Sequence, residues 1–320
     1  MVGEQAVRER IPQHTFLQWV ASAPLRTSRG SAKDVTSMCR LFGFRSAASE
    51  GVHDALVLER NSLRRQSLEH PDGWGIASWE DGGTLPRVAR GLGAAHLDPE
   101  FERASSAVRA RTVLAHLRLA SVGAVKLDNA HPFTHGRWAF AHNGTLHAFD
   151  RHREAVESLI LPTFRTFRGE TDSERCFALF LTRLSSRVDL AGSPPLADVQ
   201  WALATTLEEI ARITDVDVGN GKRSAMNFLV TDGDLLAAIR RDRTLFLAAE
   251  SAEGVPIRER PPSGTRLFAL EVASEELQGP DVWHEVPQDG VIGIDRDLTF
   301  VETSLATLLQ RTAGTLARTG

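Results

Sequence analysis

Met38-Cys39-Arg40-Leu41-Phe42-Gly43-Phe44 is the stretch from which the rest of the chain can be read. Its apolar and β-prone residues predict a strand over Arg40–Arg45, and a cysteine behind a methionine stands directly before that strand. A cysteine at a chain start carries a thiol and a free α-amine in one residue, so nucleophile and base arrive together. A peptide nitrogen is not basic, so this reading requires that nothing precede Cys39 in the working protein. The plain alternative is a small buried hydrophobe, since free cysteine is among the most buried residue types. On position alone, the plain alternative is the stronger.

Residues 1–38 show no sustained period, carry Pro12 and Pro24, and include a Ser/Thr/Gly-rich stretch from Thr27 to Ser37. They are expected to be a leader outside the fold, either removed or untranslated with Met38 as the true start. Thr15–Ala21 is too short to span a bilayer and is interrupted by Gln18, which makes it a poor signal peptide. The 320 residues carry 37 basic and 41 acidic side chains, a net charge of −4, so no global field draws the chain to nucleic acid or an acidic membrane. The two cysteines, Cys39 and Cys176, allow at most one disulfide, and a cytoplasmic location is expected.

Beyond Cys39 the pattern predicts strands at Gly75–Trp79, Thr112–Leu117 and Arg137–Ala141, each bounded by turn residues. Apolar spacing of three and four predicts helices over Phe149–Ile160, Ser173–Ser186 and Leu196–Ile213, with cap-type side chains at Thr171-Asp172-Ser173. Strands resume at Met226–Thr231, Leu235–Arg240, Leu245–Ala249, Arg266–Val272 and Val291–Asp295. Strands, then helices, then strands indicate an α+β fold rather than alternating βαβ units. One domain over 39–302 is expected, with a tail over 303–320 that is helical near Thr303–Arg311.

Four segments carry candidate chemistry: Arg118-Leu119-Ala120-Ser121, Asn129-Ala130-His131-Pro132-Phe133, Ala141-His142-Asn143-Gly144, and Gly169-Glu170-Thr171-Asp172-Ser173-Glu174. Taken singly, each has a plain reading: Arg118 a surface ion-pair partner, His142-Asn143-Gly144 a turn, Asp172 a helix cap. Cys176 lies on an apolar helical face with Phe177 and Phe180 and reads as core, as do Trp74, Trp79 and Trp138. His116, His142 and His147 lack the spacing of a metal site, and no metal is expected.

In this order and spacing, with Cys39 at their head, the four segments closely resemble the glutaminase domain of class II glutamine amidotransferases, a branch of the N-terminal-nucleophile hydrolases. The resemblance runs from Cys39 to about Thr303. His70-Pro71-Asp72-Gly73-Trp74-Gly75-Ile76-Ala77 and Asn227-Phe228-Leu229-Val230-Thr231-Asp232-Gly233 resemble the stand-alone members, among them the γ-glutamyl amidohydrolase of ergothioneine synthesis and relatives in glutathione breakdown.

The resemblance implies a four-layer αββα sandwich and hydrolysis of a γ-glutamyl amide, with no cofactor. It implies Cys39 as nucleophile, the Asn143 amide and Gly144 N–H as oxyanion donors, and Gly144 as a position needing close backbone approach and an unusual φ. Arg118 would hold the substrate α-carboxylate with help from Ser121, Asp172 would pair with the α-ammonium, and His131 would orient the wall of the substrate site or a loop rather than transfer protons. His70 and Asp72 either line the pocket or, for Asp72-Gly73, form a turn. The expected substrate is glutamine or a small γ-glutamyl compound; no phosphate loop and no synthetase domain follow, so ammonia made here would need a separate synthetase partner, which is the alternative reading, or would be lost. An inactive interaction module with Cys39 blocked, and an acylase for other amides, are the remaining alternatives.

Overall fold

The computed structural model describes residues 39–216, 218, 223–277 and 282–316, without the side chains of 311–316. The expected leader lies outside the described residues. Within them, the strands are β1 (Arg40–Glu50), β2 (Trp74–Trp79), β3 (Arg87–Gly91), β4 (Ala110–Leu117), β5 (Phe133–His135), β6 (Trp138–Thr145) and β7 (Ala225–Thr231). They continue with β8 (Leu236–Ile239), β9 (Phe246–Ser251), β10 (Leu267–Ala273), β11 (His284–Glu285), β12 (Gly290–Ile294) and β13 (Phe300–Ser304). The α-helices are α1 (Leu63–Gln66), α2 (Pro99–Ala107), α3 (Phe149–Ser158), α4 (Asp172–Ser185), α5 (Leu196–Thr214) and α6 (Leu305–Leu316).

Two sheets form, ordered β11-β9-β10-β1-β4-β2-β3 and β13-β12-β8-β7-β6-β5. Their strand pairs are antiparallel. Period-two alternation lets one strand serve two apolar layers. Leu41 of β1, Leu114 of β4, Ala141 of β6 and Leu229 of β7 meet in the core between the sheets. Phe42 and Phe44 of β1 turn the other way, onto Leu56, Leu63 and Phe101 of the short helical segments. Phe140 of β6 and Phe228 of β7 likewise turn out against Phe177, Phe180 and Leu203 of α4 and α5. Helices, sheet, sheet and helices are thus stacked as an αββα sandwich.

Sequence pattern and structure agree where apolar residues are dense. The helix predicted over Ser173–Ser186 is α4, whose cap is Thr171: its side chain accepts from the Glu174 N–H. Cys176 is buried in the core on that helix, and Trp74, Trp79 and Trp138 are also core. The pattern gave no element at β3 or α2. β3 is a half-buried edge strand, and Phe101 is the large apolar residue that α2 buries. The expected boundary between 302 and 303 falls inside β13, and Leu305 and Leu308 of α6 pack into the core, so the fold continues past it. Among the described residues no helix is long and apolar enough to cross a membrane, and none of their His, Cys, Asp and Glu form a group placed to hold a metal ion.

Candidate active site

Strand register brings the candidates together before any side chain is considered. Arg40 pairs with Leu117, so Cys39 stands beside Arg118 where β1 begins and β4 ends. Cys39 shares a strand face with Leu41, Arg118 with Leu114, and Asn143 with Ala141, and these three neighbours face the gap between the sheets. One end of the inter-sheet cleft therefore receives the thiol, the guanidinium and the amide.

The Cys39 thiol is half-buried. Leu119 N–H donates to its Sγ at 3.3 Å, and Sγ lies 3.4 Å from Leu119 O. Burial pushes the thiol pKa up; the Leu119 hydrogen bond and the Arg118 charge pull it back, while Asp172 adds to the rise. The thiol therefore holds its proton at neutral pH, and attack needs a base.

Arg118 is only 3% exposed. Its Nη2 donates to Val122 O at 2.9 Å and Gly123 O at 3.0 Å, while Nη1 is enclosed without a partner. An enclosed cationic donor left open is costly in a chain with no ligand, and a carboxylate is the group that fits it. The backbone of this segment is clamped from the Asp72-Gly73 side. Asp72 N–H donates to Arg118 O, Arg118 N–H to Gly73 O, and Ala120 N–H to Asp72 Oδ2. These bonds carry the β2–β4 pairing on into Asp72-Gly73, and His70 is buried with Nδ1 2.7 Å from Gln66 O.

Asp172 opens α4 and is buried. Its Oδ2 accepts from Leu146 N–H at 2.8 Å and its Oδ1 from Ser173 N–H at 2.9 Å. A carboxylate offers about four lone-pair sites, so acceptor capacity remains for an ammonium. Ser121 is exposed at the rim, its Oγ 3.0 Å from Thr145 Oγ1.

Asn143 is 1% exposed, and its side-chain amide makes no hydrogen bond among the described residues. Gly144 faces Met226 of β7, and the Met226 N–H is turned away to Arg241 O at 3.0 Å. In an antiparallel ladder the Gly144 N–H then also points away from β7. On that side β5 has ended, because its register stops at Phe140. His142 confirms the direction: its carbonyl, on the same side as Gly144 N–H, lies 3.3 Å from His116 Nε2. The close approach expected at Gly144 is present, since a Cβ there would lie 1.9 Å from Ala225 O. The unusual φ is not; Gly144 is not among the positive-φ glycines.

Behind Asn143-Gly144 lie three buried imidazoles. His116 is held down to about 3, chiefly by burial, and burial also lowers His131 and His142. All three are therefore neutral at pH 7. His142 Nε2 faces Ala225 O at 3.0 Å and so carries the proton, leaving Nδ1 to accept from Ser173 Oγ at 2.9 Å. His131 stacks on His116, ring centroids 4.0 Å apart, and meets Phe133 edge-on. Its backbone explains Gly75 on β2, where a Cβ would lie 2.1 Å from His131 O.

Sequence reasoning passed over Asn129. Its Nδ2 donates to Ala124 O and Glu170 Oε2, and its Oδ1 accepts from Glu170 N–H. It ties the loop gripped by Arg118 to the segment that leads into Asp172. Its place beside His131 in the quoted motif was the available signal.

A thiol at the head of a strand, at one end of the cleft of an αββα sandwich, defines the amide hydrolases of the N-terminal-nucleophile class. The family Glutamine amidotransferases class-II matches residues 38–288, and the chain belongs to that family. A protein of Methanocaldococcus jannaschii is 31% identical over 210 residues, covering 63% of this chain; the chain spans about half (51%) of that longer relative. The gamma-glutamyl-hercynylcysteine sulfoxide hydrolase of Mycobacterium tuberculosis is 28% identical over 222 residues, 67% of this chain and 84% of that protein. A glutamine aminotransferase class-II domain protein from Silicibacter pomeroyi has the same fold, with a TM-score of 0.58 at 21% identity, over 83% of this chain and 99% of that one. The chain is accordingly an amide-hydrolysing enzyme of this family.

Proposed function

We propose that the chain hydrolyses glutamine or a small γ-glutamyl amide through a thioester on Cys39. The observation that carries the reading is the convergence at one cleft end of a thiol, an enclosed arginine with Nη1 open, and a buried carboxylate; the charges of Arg118 and Asp172 both act on the thiol. Arg118 Nη1 takes the substrate α-carboxylate and Asp172 the α-ammonium, which selects a free γ-glutamyl head over an internal glutamine. The α-amine of Cys39, once free, takes the thiol proton, and Sγ attacks the γ-carbonyl carbon. Asn143 and the Gly144 N–H receive the oxyanion, a donor of this kind being worth about 10²–10³ in rate. The tetrahedral intermediate collapses, the protonated α-amine returns its proton to the leaving amine, and water then releases glutamate from the thioester.

The thiol pushed up by burial makes this base indispensable, and the α-amine, at about 7.7–8.0 in model compounds, is matched to the task near neutral pH. The test combines intact mass with labelling. Protein isolated from its native host is expected to begin at Cys39, to release glutamate from glutamine, and to lose activity as a glutamine-analogue electrophile adds once to Cys39. Full activity in a Cys39→Ala variant would overturn the reading. So would turnover of glutamine that is indifferent to both Arg118→Ala and Asp172→Ala.

A further inference from the structure

The strand edge beside the oxyanion donors is interrupted. Register pairs Phe133 with Phe140, Thr134 with Ala139 and His135 with Trp138, so two more residues of β5 would set His131 opposite His142. In such a ladder the His131 N–H would serve the His142 carbonyl. The chain takes another course. At His131 it lies against the first sheet, its carbonyl so close over Gly75 of β2 that a Cβ there would sit 2.1 Å away. The His142 carbonyl is left on an open strand edge, pointing the same way as the Gly144 N–H.

A side chain takes the place of the missing strand. His116 of β4 shares a strand face with Leu114 and so projects into the gap between the sheets. It is 1% exposed, and its Nε2 lies 3.3 Å from His142 O. A carbonyl only accepts, so Nε2 carries the ring proton and donates it. The backbone of His116 is paired on both sides, with Leu41 of β1 and Gly75 of β2, and the His131 ring stacks on its imidazole at 4.0 Å between centroids. Gly75 has no side chain opposite His116, which leaves room for the His131 backbone that brings this ring into the stack. The His142 ring is held separately, Nε2 by Ala225 O and Nδ1 by Ser173 Oγ. The peptide that leads into Asn143 is thus fixed at its carbonyl by His116 and at its side chain by two further bonds.

We infer that His116 is a positioning residue for the oxyanion site: by donating to His142 O where a strand would have done so, it sets the Asn143 amide and the Gly144 N–H against the reacting carbonyl. This rests on the proposed hydrolase reading. The imidazole acts as a fixed dipole; buried and neutral, it neither gives nor takes a proton during turnover. Misplacing catalytic groups by about 1 Å can cost about 10² in rate. The glutamyl head, held by Arg118 and Asp172, feels little of that displacement, so the effect falls on kcat.

The test compares His116→Asn with His116→Gln, each produced in the native host and assayed for glutamate release from glutamine. The Gln amide reaches the Nε2 position, whereas the Asn amide stops near Nδ1. His116→Asn is expected to lower kcat by about 10- to 100-fold with KM changed by no more than about threefold, and His116→Gln to recover most of the loss. In a chain already carrying Asn143→Ala, His116→Asn is expected to cost several-fold less, because one of the donors it sets is gone. Equal kcat in the two variants, a loss expressed in KM alone, or full additivity with Asn143→Ala would overturn the inference while leaving the hydrolase standing. Nitrogen NMR of the unaltered chain reads the bond without any substitution: the ring proton is expected on Nε2, and a proton on Nδ1 would overturn the inference. Failure of the unaltered protein to release glutamate from any γ-glutamyl amide would overturn the hydrolase reading and the inference with it.

Discussion

Glu250→Gln is expected to stabilise the protein by about 3 kcal/mol at pH 7.5 without touching catalysis. Glu250 lies on β9, sharing a strand face with Ala248, which packs on the outer side of the first sheet. It is 5% exposed and its Oε1 has no partner. Burial first, and the Glu50 charge second, raise its carboxyl to about 7 from an ordinary 4.5. A carboxyl raised by folding is protonated in the folded chain while the unfolded chain has already released its proton. The resulting loss of stability is absent below pH 4.5 and fully developed above pH 7. At ~1.36 kcal/mol per pKa unit it amounts to about 3 kcal/mol at pH 7.5 and about 1 kcal/mol at pH 5. Glutamine keeps the shape and removes the proton dependence. Urea unfolding of both forms at pH 5 and 7.5 should show the gain shrinking as the solution is acidified. Glu250 is near the Glu50 end of β1, whereas Cys39 precedes the other end, so glutamine turnover should stay within about twofold. A stability difference independent of pH, or a loss of stability at pH 7.5, would refute the electrostatic argument.

Gly144→Ala must separate β6 from β7 to relieve a 1.9 Å contact with Ala225 O. A loss of about 1–3 kcal/mol in unfolding free energy is expected together with a fall in kcat; wild-type stability and activity would sink the close-approach argument. Asn129→Ala should raise KM for glutamine by about tenfold or more and change kcat less, because it frees the loop gripped by Arg118 without reaching the reacting atoms. Asn143→Ala should lower kcat by about 10²–10³ with KM little changed, as steady-state kinetics on glutamine would show. His116, neutral in the fold down to about pH 3, binds its proton only when the chain unfolds below about pH 6.5, and so contributes a loss of about 2 kcal/mol between pH 7.5 and pH 5. Proton NMR should find its ring unprotonated at pH 5, and a midpoint near 6.5 would contradict its burial.

The sequence by itself determined the fold class and named the candidates for the site. Strands at Arg40–Arg45 and Thr112–Leu117 and the helix after Thr171 were legible because apolar periodicity is local, and local pattern decides which face of an element is buried. Cys39, Arg118, Asn143-Gly144 and Asp172 were picked out as candidates by their resemblance to a known family, since each alone has a plain structural reading. Tertiary structure decided what depends on register and on neighbours far along the chain. The outward aim of the Gly144 N–H follows from Met226 turning to Arg241, 15 residues beyond it in another strand pair. Asn129 as a tie to Glu170 exists only once distant loops meet. A hydrogen bond made, or left unmade, is a property of two positions in space, and one-dimensional pattern carries only the half that each residue brings.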